Sequence, residues 1–340
     1  MPLLPYLHRV ADRQNLNSAE ALEAMRIILE GGATPAQIAG FLVALRMKGE
    51  TVQELVGFAR ALRQMAEPVD AELHGEALVD TCGTGGDGLG TFNISTVAAF
   101  VVAGAGARVA KHGNRSISSQ CGSADLLEAM GVRIPMAAAE CARAIREIGI
   151  GFLFAPAIHT ATRHAQPVRV ELKMRTVFNL LGPLTNPAGA SAQLAGAPSP
   201  HFAELMAGAL AALGLERGFV VHGSDGLDEI TTTGPTLAFE IGNGEVTRRT
   251  VTPDDFGVAW ARPEDLKGGD RQSNLAIARE VLQGAHGPRR DIVLVNAAAA
   301  LVAVGRARDF LEGAAQAAMA IDSGAAGEKA QALARFTSGV

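Results

Sequence analysis

A glycine-rich loop set between a short apolar run and an apolar helical segment is the feature that most constrains how this chain folds. Residues 77–79 (Ala-Leu-Val) predict a strand, five glycines follow between Gly83 and Gly90, and Asn93 introduces a segment with the composition of a buried helix. Because glycine lacks a Cβ and tolerates positive φ, the main chain of such a loop can approach a ligand closely. Backbone N–H groups left free there, next to a helix start, suit an anion such as phosphate. The sequence therefore predicts a phosphate site.

A second polar loop follows the next predicted strand, residues 108–110. The stretch between Asp87 and Asp125 contains no acidic side chain, yet it carries basic residues at Lys111 and Arg115 and a run of hydroxyl residues. Open α/β sheets bind ligands at the carboxyl ends of neighbouring parallel strands. We therefore expect the two loops to lie side by side and to grip a phosphorylated ligand together.

The two common nucleotide-binding motifs do not fit the first loop. Gly83, Gly85 and Gly88 satisfy the dinucleotide fingerprint, but the acidic residue expected about 20 positions later is missing. A Walker loop requires Lys followed by Ser or Thr after its last glycine, and here Leu89 follows Gly88. Both interpretations are excluded.

Composition excludes several classes of function. The net charge of −5 argues against a nucleic-acid or membrane-surface partner, and 4% aromatic residues argue against single-strand stacking platforms. No apolar run reaches the roughly 18 residues that span a bilayer, and the N-terminus lacks the pattern of a secretory signal. The cysteines number three, without metal-ligand spacing, so we expect a reduced, cytoplasmic setting.

Residues 1–70 predict a small helical domain. Three capping boxes mark helix starts, namely Asn17 with Glu20, Thr34 with Gln37, and Thr51 with Glu54. An apolar stripe at helical spacing follows the second box and comprises Ile38, Phe41, Leu42 and Leu45. This stripe predicts either ordinary core or core that also serves an interface between copies.

From Leu78 onward, short apolar strands alternate with helices, which indicates an α/β domain with parallel strands. The predicted fold is α/β: a small N-terminal helical domain plus a larger α/β domain with a mostly parallel central sheet, joined by hinge segments, the first at residues 67–70. Residues 237–251 predict a hairpin around Asn243-Gly244. Residues 292–295 predict a buried strand, and residues 297–320 an alanine-rich helix.

Several segments closely resemble the anthranilate phosphoribosyltransferase family of the tryptophan pathway. They are residues 80–88, 93–96, 111–119, 122–125, 169–187 and 226–229. The resemblance covers nearly the whole chain. It implies that residues 160–186 pack back on the helical domain, so that residues 71–159 and 187–340 form the domain that binds phosphoribosyl pyrophosphate. It also implies a homodimer through the helical domain.

The implied reaction joins the amine of anthranilate to C1 of phosphoribosyl pyrophosphate and expels pyrophosphate through an oxocarbenium-like transition state. The catalyst must neutralise a polyanionic leaving group, fix the ribose and aim the amine. By resemblance, the residues that bind phosphoribosyl pyrophosphate are Gly83, Gly86, Asp87, Thr91, Asn93, Ile94, Ser95, Thr96, Lys111, His112, Gly113, Asn114, Arg115, Ser116, Ile117, Ser118, Ser119 and Ser123.

The metal and the aromatic acid are assigned to other side chains. Asp228 and Glu229, with Ser95, would bind Mg²⁺, which prefers hard oxygen ligands and keeps several waters. Arg169 suits the carboxylate of anthranilate because a guanidinium forms two parallel hydrogen bonds to it. By resemblance, Asn114 and the backbone at Gly83 meet the same substrate. A surface ion pair of Arg169 with Glu171 or Glu140 is the structural alternative.

No residue stands out as a general base, and the anthranilate amine is already free at neutral pH. His112 could donate to a phosphate oxygen or orient the turn, and His159 could line the aromatic pocket or cap a helix. We expect a structural role for Arg175 near the hinge.

Two other functions remain open at this stage. A pyrimidine nucleoside phosphorylase shares this architecture, but its first-loop sequence differs from residues 82–87 here. A non-catalytic relative that binds nucleic acid would have a basic surface and would lose Arg169 and the Asp228–Glu229 pair.

Overall fold

Capping side chains start the N-terminal helices where the sequence predicts them. The computed structural model describes residues 2–85, 88–116 and 120–339. Its first four helices are α1 (Leu4–Ala11), α2 (Ser18–Leu29), α3 (Pro35–Lys48) and α4 (Val52–Met65). All three predicted capping boxes form with both reciprocal hydrogen bonds, at the starts of α2, α3 and α4. Each satisfies backbone N–H groups that the helix itself leaves unpaired.

The apolar stripe of α3 is core within a single chain. Ile38, Phe41, Leu42 and Leu45 are all buried, and the rings of Phe41 and Phe58 meet edge to face at 6.1 Å. These side chains therefore pack against the neighbouring helices of the same chain. The stripe is core, and whether this helix also serves an interface between copies stays a prediction.

A seven-stranded sheet forms the centre of the α/β part. Its strands are β1 (Leu78–Gly83), β2 (Arg108–Gly113), β3 (Ile150–Phe154), β4 (Ala192–Gly196), β5 (Arg217–Gly223), β6 (Thr236–Gly242) and β7 (Glu245–Val251). The order is β3-β2-β1-β4-β5-β6-β7, in which the first five strands are parallel and the predicted β6–β7 hairpin is antiparallel. The predicted fold class is confirmed.

Helices cover both faces of the sheet. The remaining ones are α5 (Ile94–Gly104), α6 (Ser123–Ala129), α7 (Ala138–Glu147), α8 (Ala155–Ile158), α9 (Gln166–Leu172), α10 (Phe178–Leu181), α11 (Pro200–Ala212), α12 (Arg271–Leu282), α13 (Pro288–Ala303), α14 (Phe310–Asp322) and α15 (Ala325–Ser338). Side chains alternate between the faces. Phe219 and Val221 join the core cluster that contains α5 and α13, whereas Val220 joins the cluster that contains α3, α4 and α11. No helix within the described part of the chain is long and apolar enough to cross a membrane.

The segment between β3 and β4 returns to the N-terminal helices. It contains a 3₁₀ turn at Thr160–His164, then α9 and α10, and a second 3₁₀ turn at Gly182–Leu184. Val168 of α9 and Leu181 of α10 belong to the same core cluster as the side chains of α2, α3 and α4. This packing joins residues that are distant in sequence to the N-terminal helices.

The strand predicted at residues 292–295 is wrong, because these residues lie inside α13. That helix packs against α5, α14 and the sheet, so it is apolar on all sides. A short apolar run of this kind has no period that separates a strand from a buried helix. The helix predicted at residues 297–320 is also two helices, interrupted around Gly305 with its positive φ, and Asp309 caps the second.

The crossing of α2 and α4 predicts a stability effect. A Cβ built on Gly57 would lie 2.6 Å from the Cβ of Ala21 and would also collide with the carbonyl oxygen of Ser18. We expect Gly57→Ala to lower the free energy of unfolding by about 1–3 kcal/mol, because the two helices must move apart. Urea denaturation measures this change.

Gly40 in α3 is the matched control. The nearest atom to a Cβ built there is Cδ1 of Leu7 at 3.4 Å, an ordinary contact. Gly40→Ala should leave stability unchanged or raise it by up to about 1 kcal/mol through helix propensity. Equal stability of the two variants would contradict the packing account.

Candidate active site

The two polar loops lie next to each other, as the sequence predicts. The first follows β1 and the second follows β2, and these strands are parallel neighbours with Val79 opposite Val109. Five of the predicted site residues lie outside the described residues: Gly86, Asp87, Ile117, Ser118 and Ser119. The rest of both loops converges on the start of α5.

Asn93 joins the two loops. Its Nδ2 donates to the carbonyl oxygen of Cys121 in the second loop at 3.0 Å, and its Oδ1 accepts from Nδ2 of Asn274 at 3.0 Å. Oδ1 of Asn274 in turn accepts from the N–H of Gly269 at 2.8 Å. Asn274 was not predicted, since nothing in its local sequence separates it from other polar helix residues.

The start of α5 differs from the expected row of free N–H groups. The N–H of Ile94 donates to the carbonyl oxygen of Phe92 at 2.8 Å, and that of Thr96 donates to the carbonyl oxygen of Asn93 at 3.1 Å. The side chains of Ile94 and Thr96 are buried. Of residues 94–96, Ser95 is therefore the one whose polar side chain is not buried.

The paired carboxylates reach this helix start from the loop between β5 and β6. Asp228 and Glu229 lie between β5 and β6, and both are buried. Oδ2 of Asp228 accepts from the N–H of Gly85 at 2.7 Å, and Oε1 of Glu229 accepts from the N–H of Ser95 at 3.2 Å. The three residues predicted to bind metal are thus brought together, although Ser95 and the acidic pair are far apart in sequence.

Two glycines at strand ends allow this approach. A Cβ on Gly83, at the end of β1, would lie 2.6 Å from Oδ2 of Asp228. A Cβ on Gly196, at the end of β4, would collide with the carbonyl group of Asp228 and lie 3.0 Å from its Cβ. Any larger residue at either position would displace the carboxylate. Gly196 was missed, because its requirement arises only from the folded loop.

The donor set fits Mg²⁺. Two carboxylates and the Ser95 hydroxyl are hard oxygen donors, and oxygen is what Mg²⁺ prefers. No cluster of three or more His, Cys, Asp or Glu side chains suited to a metal exists in residues 2–85, 88–116 and 120–339. These side chains alone would not complete six-fold coordination, which suits an ion that keeps waters and binds substrate oxygens.

Lys111 lies beneath the two loops. Its Nζ donates to the carbonyl oxygen of Thr81 at 2.7 Å and lies 3.4 Å from Oγ of Ser95. Burial lowers the pKa of Lys111, an effect that the nearby Asp80 carboxylate opposes. The ammonium group is therefore held below the first loop and at the start of α5.

Asp80 and Asn186 form a buried pair that sequence reasoning missed. Nδ2 of Asn186 donates to Oδ2 of Asp80 and to the carbonyl oxygen of Ala110, both at 2.8 Å, and the N–H of His112 donates to Oδ1 of Asp80 at 3.2 Å. Burial raises the pKa of Asp80, against the effect of these donors and of Lys111. The sequence feature that could have revealed this pair is the carboxylate of Asp80 within an otherwise buried strand.

The second loop is folded onto the start of α6. Oγ of Ser123 donates to the carbonyl oxygen of Asn114 at 3.0 Å and accepts from its N–H at 3.2 Å. Arg115 forms ion pairs with Asp125 at 2.9 Å and with Glu128 at 2.6 Å. The acid-free stretch thus ends at carboxylates that neutralise Arg115 in this conformation. Its role in binding phosphate remains a prediction.

Thr91 lies at the opposite edge of the first loop. It forms an isolated antiparallel bridge with Lys267, and the N–H of Gly268 donates to the carbonyl oxygen of Gly90 at 2.9 Å. The segment before α12 therefore closes this side of the site.

Among the residues that the structure describes, Arg169 makes no ion pair with Glu171 or Glu140, so that alternative is wrong. Glu140 pairs with Arg133 at 2.8 Å instead. The guanidinium of Arg169 lies 5.0 Å from the ring centroid of Phe178, and its Nη1 donates to Oε1 of Gln166 at 3.2 Å. Burial lowers the pKa of Arg169, but an arginine remains charged at all physiological pH values.

Two buried histidines lie beside the second loop. The rings of His112 and His159 are 5.2 Å apart, and Nδ1 of His112 lies 3.1 Å from the carbonyl oxygen of Gly182. Burial lowers the pKa of His112 to about 3 and that of His159 to about 4, so both are neutral at pH 7. Nε2 of His112 and both ring nitrogens of His159 have no hydrogen-bond partner within the described residues.

Arg175 connects the helical part of the chain to the first loop. Its Nη2 donates to the carbonyl oxygen of Gly85 at 3.0 Å, and its own carbonyl oxygen accepts from Arg46 of α3. The structural role expected for Arg175 near the hinge stays a prediction.

Comparisons with known proteins agree with this geometry. Residues 75–327 match the glycosyl transferase family, a/b domain, and residues 4–66 match the glycosyl transferase family, helical bundle domain. The anthranilate phosphoribosyltransferase of Solibacter usitatus is 71% identical over 336 residues, which cover 99% of each chain.

Solved structures of the same kind superimpose on the whole chain. Anthranilate phosphoribosyltransferase from Thermus thermophilus has a TM-score of 0.92 at 44% identity, covering 99% of this chain and 100% of the other. The Saccharomyces cerevisiae enzyme in complex with PRPP and Mg has a TM-score of 0.91 at 28% identity, covering 99% and 98%. Neither a pyrimidine nucleoside phosphorylase nor a nucleic-acid-binding relative is favoured by these matches. The chain belongs to the anthranilate phosphoribosyltransferase family.

Proposed function

We propose that this chain transfers the phosphoribosyl group of phosphoribosyl pyrophosphate to the amine of anthranilate. The bond between C1 and the pyrophosphate oxygen breaks, the bond from C1 to nitrogen forms, and the amine gives up a proton. The single observation that carries the proposal is the convergence of Asp228 and Glu229 on Gly85 and Ser95, beside the loop that follows Lys111. Carboxylates next to a cationic, glycine-rich cradle suit a metal-bound diphosphate.

Phosphoribosyl pyrophosphate would lie between the two loops. Lys111 and the main chain of both loops would offset the charge of the leaving group, which develops as the bond to C1 breaks. The hydroxyls of Ser95 and Ser123 would hold phosphate or ribose oxygens. The predicted contacts of Gly86, Asp87 and residues 117–119 belong to the same proposal.

Mg²⁺ would be held by Asp228, Glu229 and the hydroxyl of Ser95. When bound, the ion supplies positive charge to the diphosphate leaving group. The main chain positions the two carboxylates, since Gly85 and Ser95 hold them through backbone N–H groups.

Anthranilate would bind between Arg169 and the start of the second loop. The guanidinium of Arg169, partly buried beside Phe178, would pair with the carboxylate of the substrate. Asn114 and the backbone at Gly83 would contact the ring of anthranilate. Because His112 and His159 are neutral, they would offer uncharged ring edges and hydrogen-bond groups to an aromatic acid. No general base is assigned.

We infer that the chain has two domains with a hinge between them. Residues 1–70 with 160–186 would form the helical domain, and residues 71–159 with 187–340 the α/β domain. Support comes from the shared core cluster of α2–α4 with α9 and α10. Closure of the hinge would bring Arg169 toward the loops that hold the sugar.

We infer a cytoplasmic homodimer. Three free, buried cysteines suit a reducing compartment.

The helical part exposes large apolar side chains, with Met47 70% exposed, Val170 59% and Met174 36%. Apolar side chains that lie close together on a surface mark an interaction site. Met47 lies in the last turn of α3, and Val170 lies in α9, which packs against α3.

The dimer is tested by Met47→Lys combined with Val170→Lys. Because charges would be buried at the interface, sedimentation should change from twice 35.1 kDa to a single chain mass. Met319→Lys, on an exposed side chain of α14, is the control and should remain dimeric. A monomeric wild-type chain would contradict the proposal.

The reaction is tested by following anthranilate fluorescence with phosphoribosyl pyrophosphate, with and without Mg²⁺. The combined change Asp228→Asn and Glu229→Gln should keep the fold and lower kcat/KM by at least about 100-fold, because the ligands for the metal become neutral amides. The circular dichroism spectrum checks the fold.

The control for that variant removes the same charge elsewhere. Glu147→Gln combined with Glu264→Gln changes two carboxylates whose side chains are 53% and 58% exposed, and its activity should match wild type. Activity of the Asp228–Glu229 variant that retains its Mg²⁺ dependence would exclude the metal role. No product from the wild-type chain would exclude the reaction itself.

The role of Arg169 predicts a selective effect on one substrate. Arg169→Ala should raise KM for anthranilate about tenfold or more and leave KM for phosphoribosyl pyrophosphate within about twofold, since only a contact to the aromatic carboxylate is lost. Steady-state kinetics with each substrate varied in turn measures both constants. Arg163→Ala, at an exposed neighbour whose Nε donates to Nε2 of His164, is the control. Equal increases in both KM values would count against the assignment.

A further inference from the structure

Asn296 is an isolated polar side chain inside an apolar helix. Residues 292–303 of α13 read IVLVNAAAALVA, in which Asn296 is the sole polar residue, and it is 0% exposed. Burying an amide without hydrogen-bond partners costs free energy, so we expect the Asn296 side chain to be hydrogen-bonded.

Those contacts are directed at one residue of the loop between β5 and β6. Oδ1 of Asn296 accepts from the N–H of Ile230 at 2.9 Å, and Nδ2 donates to the carbonyl oxygen of Ile230 at 2.9 Å. The other Nδ2 hydrogen donates to the carbonyl oxygen of Ile292 at 2.8 Å, one turn earlier in α13. Both donors of the amide are therefore used, and both peptide groups of Ile230 are satisfied.

Ile230 depends on this pairing. It lies outside the strands, so its peptide groups have no partner strand, and the residue is 2% exposed. Removing the amide would leave a buried N–H and a buried carbonyl oxygen unpaired, which costs far more than losing a solvated hydrogen bond. The chain at Ile230 would then shift toward other partners.

Ile230 directly follows Asp228 and Glu229. The helix that carries Asn296 also packs against α5, whose Ser95 N–H contacts Glu229. On its other side the loop is held by Asp225, whose Oδ2 accepts from Oγ1 of Thr231 at 2.6 Å. α13 thus fixes the acidic pair relative to the start of α5.

We propose that Asn296 is a positioning residue that sets the location of the Asp228–Glu229 carboxylates through Ile230. This inference rests on the proposed metal role of the two carboxylates. Residues that hold metal ligands from behind affect metal affinity without touching the ion. Asn296 has this place in the structure, because Ile230, the residue that it holds, is the next residue after Glu229.

The test compares three variants in the full chain. Asn296→Leu removes all three hydrogen bonds at similar volume. Asn296→Asp keeps the acceptor for the Ile230 N–H but turns an oxygen toward two carbonyl oxygens, and it decides the question should the leucine variant not fold. Val293→Ala, at another fully buried position of α13, is the control for loss of core packing.

The first readout is local hydrogen exchange in the metal-free protein. Both Asn296 variants should lose protection at residues 227–231 while the strands of the sheet keep theirs, because the loop alone is released. Val293→Ala should show no selective loss in that loop. Loss spread evenly over α13 and the sheet in the Asn296 variants would overturn the proposal.

The second readout is binding of Mn²⁺, as a spin-active substitute for Mg²⁺, in the presence of phosphoribosyl pyrophosphate. Affinity measured by electron paramagnetic resonance should fall about tenfold or more in the Asn296 variants. KM for phosphoribosyl pyrophosphate should rise to a similar degree, with KM for anthranilate within about twofold. Mn²⁺ affinity equal to that of Val293→Ala would overturn the proposal.

The two proposals fail in different ways. If the Asp228–Glu229 variant keeps its Mg²⁺ dependence, the metal role fails whatever Asn296 does. If that variant loses Mg²⁺-dependent turnover while Asn296→Leu and Asn296→Asp behave like Val293→Ala, only the positioning role of Asn296 fails.

Discussion

The close packing of Asp228 against the ends of β1 and β4 is the constraint on which the site depends. Gly83 and Gly196 leave room for its carboxyl and carbonyl groups, and the N–H of Gly85 holds its Oδ2. Through this contact, the loop between β5 and β6 reaches the loop after β1. Two acidic side chains are thereby buried beside a cationic cradle, where their charge requires a compensating ion or hydrogen bonds.

Local rules predicted much of the fold. The capping boxes of α2–α4, the β6–β7 hairpin and the parallel strands around the glycine-rich loop follow from residue spacing alone. The error at residues 292–295 has a clear cause, because a helix surrounded by other elements carries no polar face. Residues 292–303 contain a single polar residue, Asn296, which was the one signal against a strand, and its meaning requires knowing that Ile230 lies opposite.

The candidate site likewise contains residues that the sequence indicated and residues that it did not. Motifs indicated Ser95, Lys111, Arg169 and the Asp228–Glu229 pair by residue type and resemblance. The supporting residues were not predicted, since Asn186, Gly196 and Asn274 owe their roles to partners that are distant in sequence. Arg115 shows the opposite case, in which the sequence indicated a phosphate ligand and the structure shows acidic partners. These partners lie on α6, just beyond the acid-free stretch that made Arg115 a candidate. Tertiary contacts, rather than local pattern, decide such cases.

The central claim is that two adjacent loops and the Asp228–Glu229 pair form one site for a metal-bound diphosphate sugar. A crystal structure of the chain with phosphoribosyl pyrophosphate and Mg²⁺ tests it most directly. We expect density for the diphosphate between the loop at Gly83–Gly90 and the loop after Lys111, with the ion against the two carboxylates. Density for the sugar at any other place, or an ion that does not contact Asp228 or Glu229, would contradict the account.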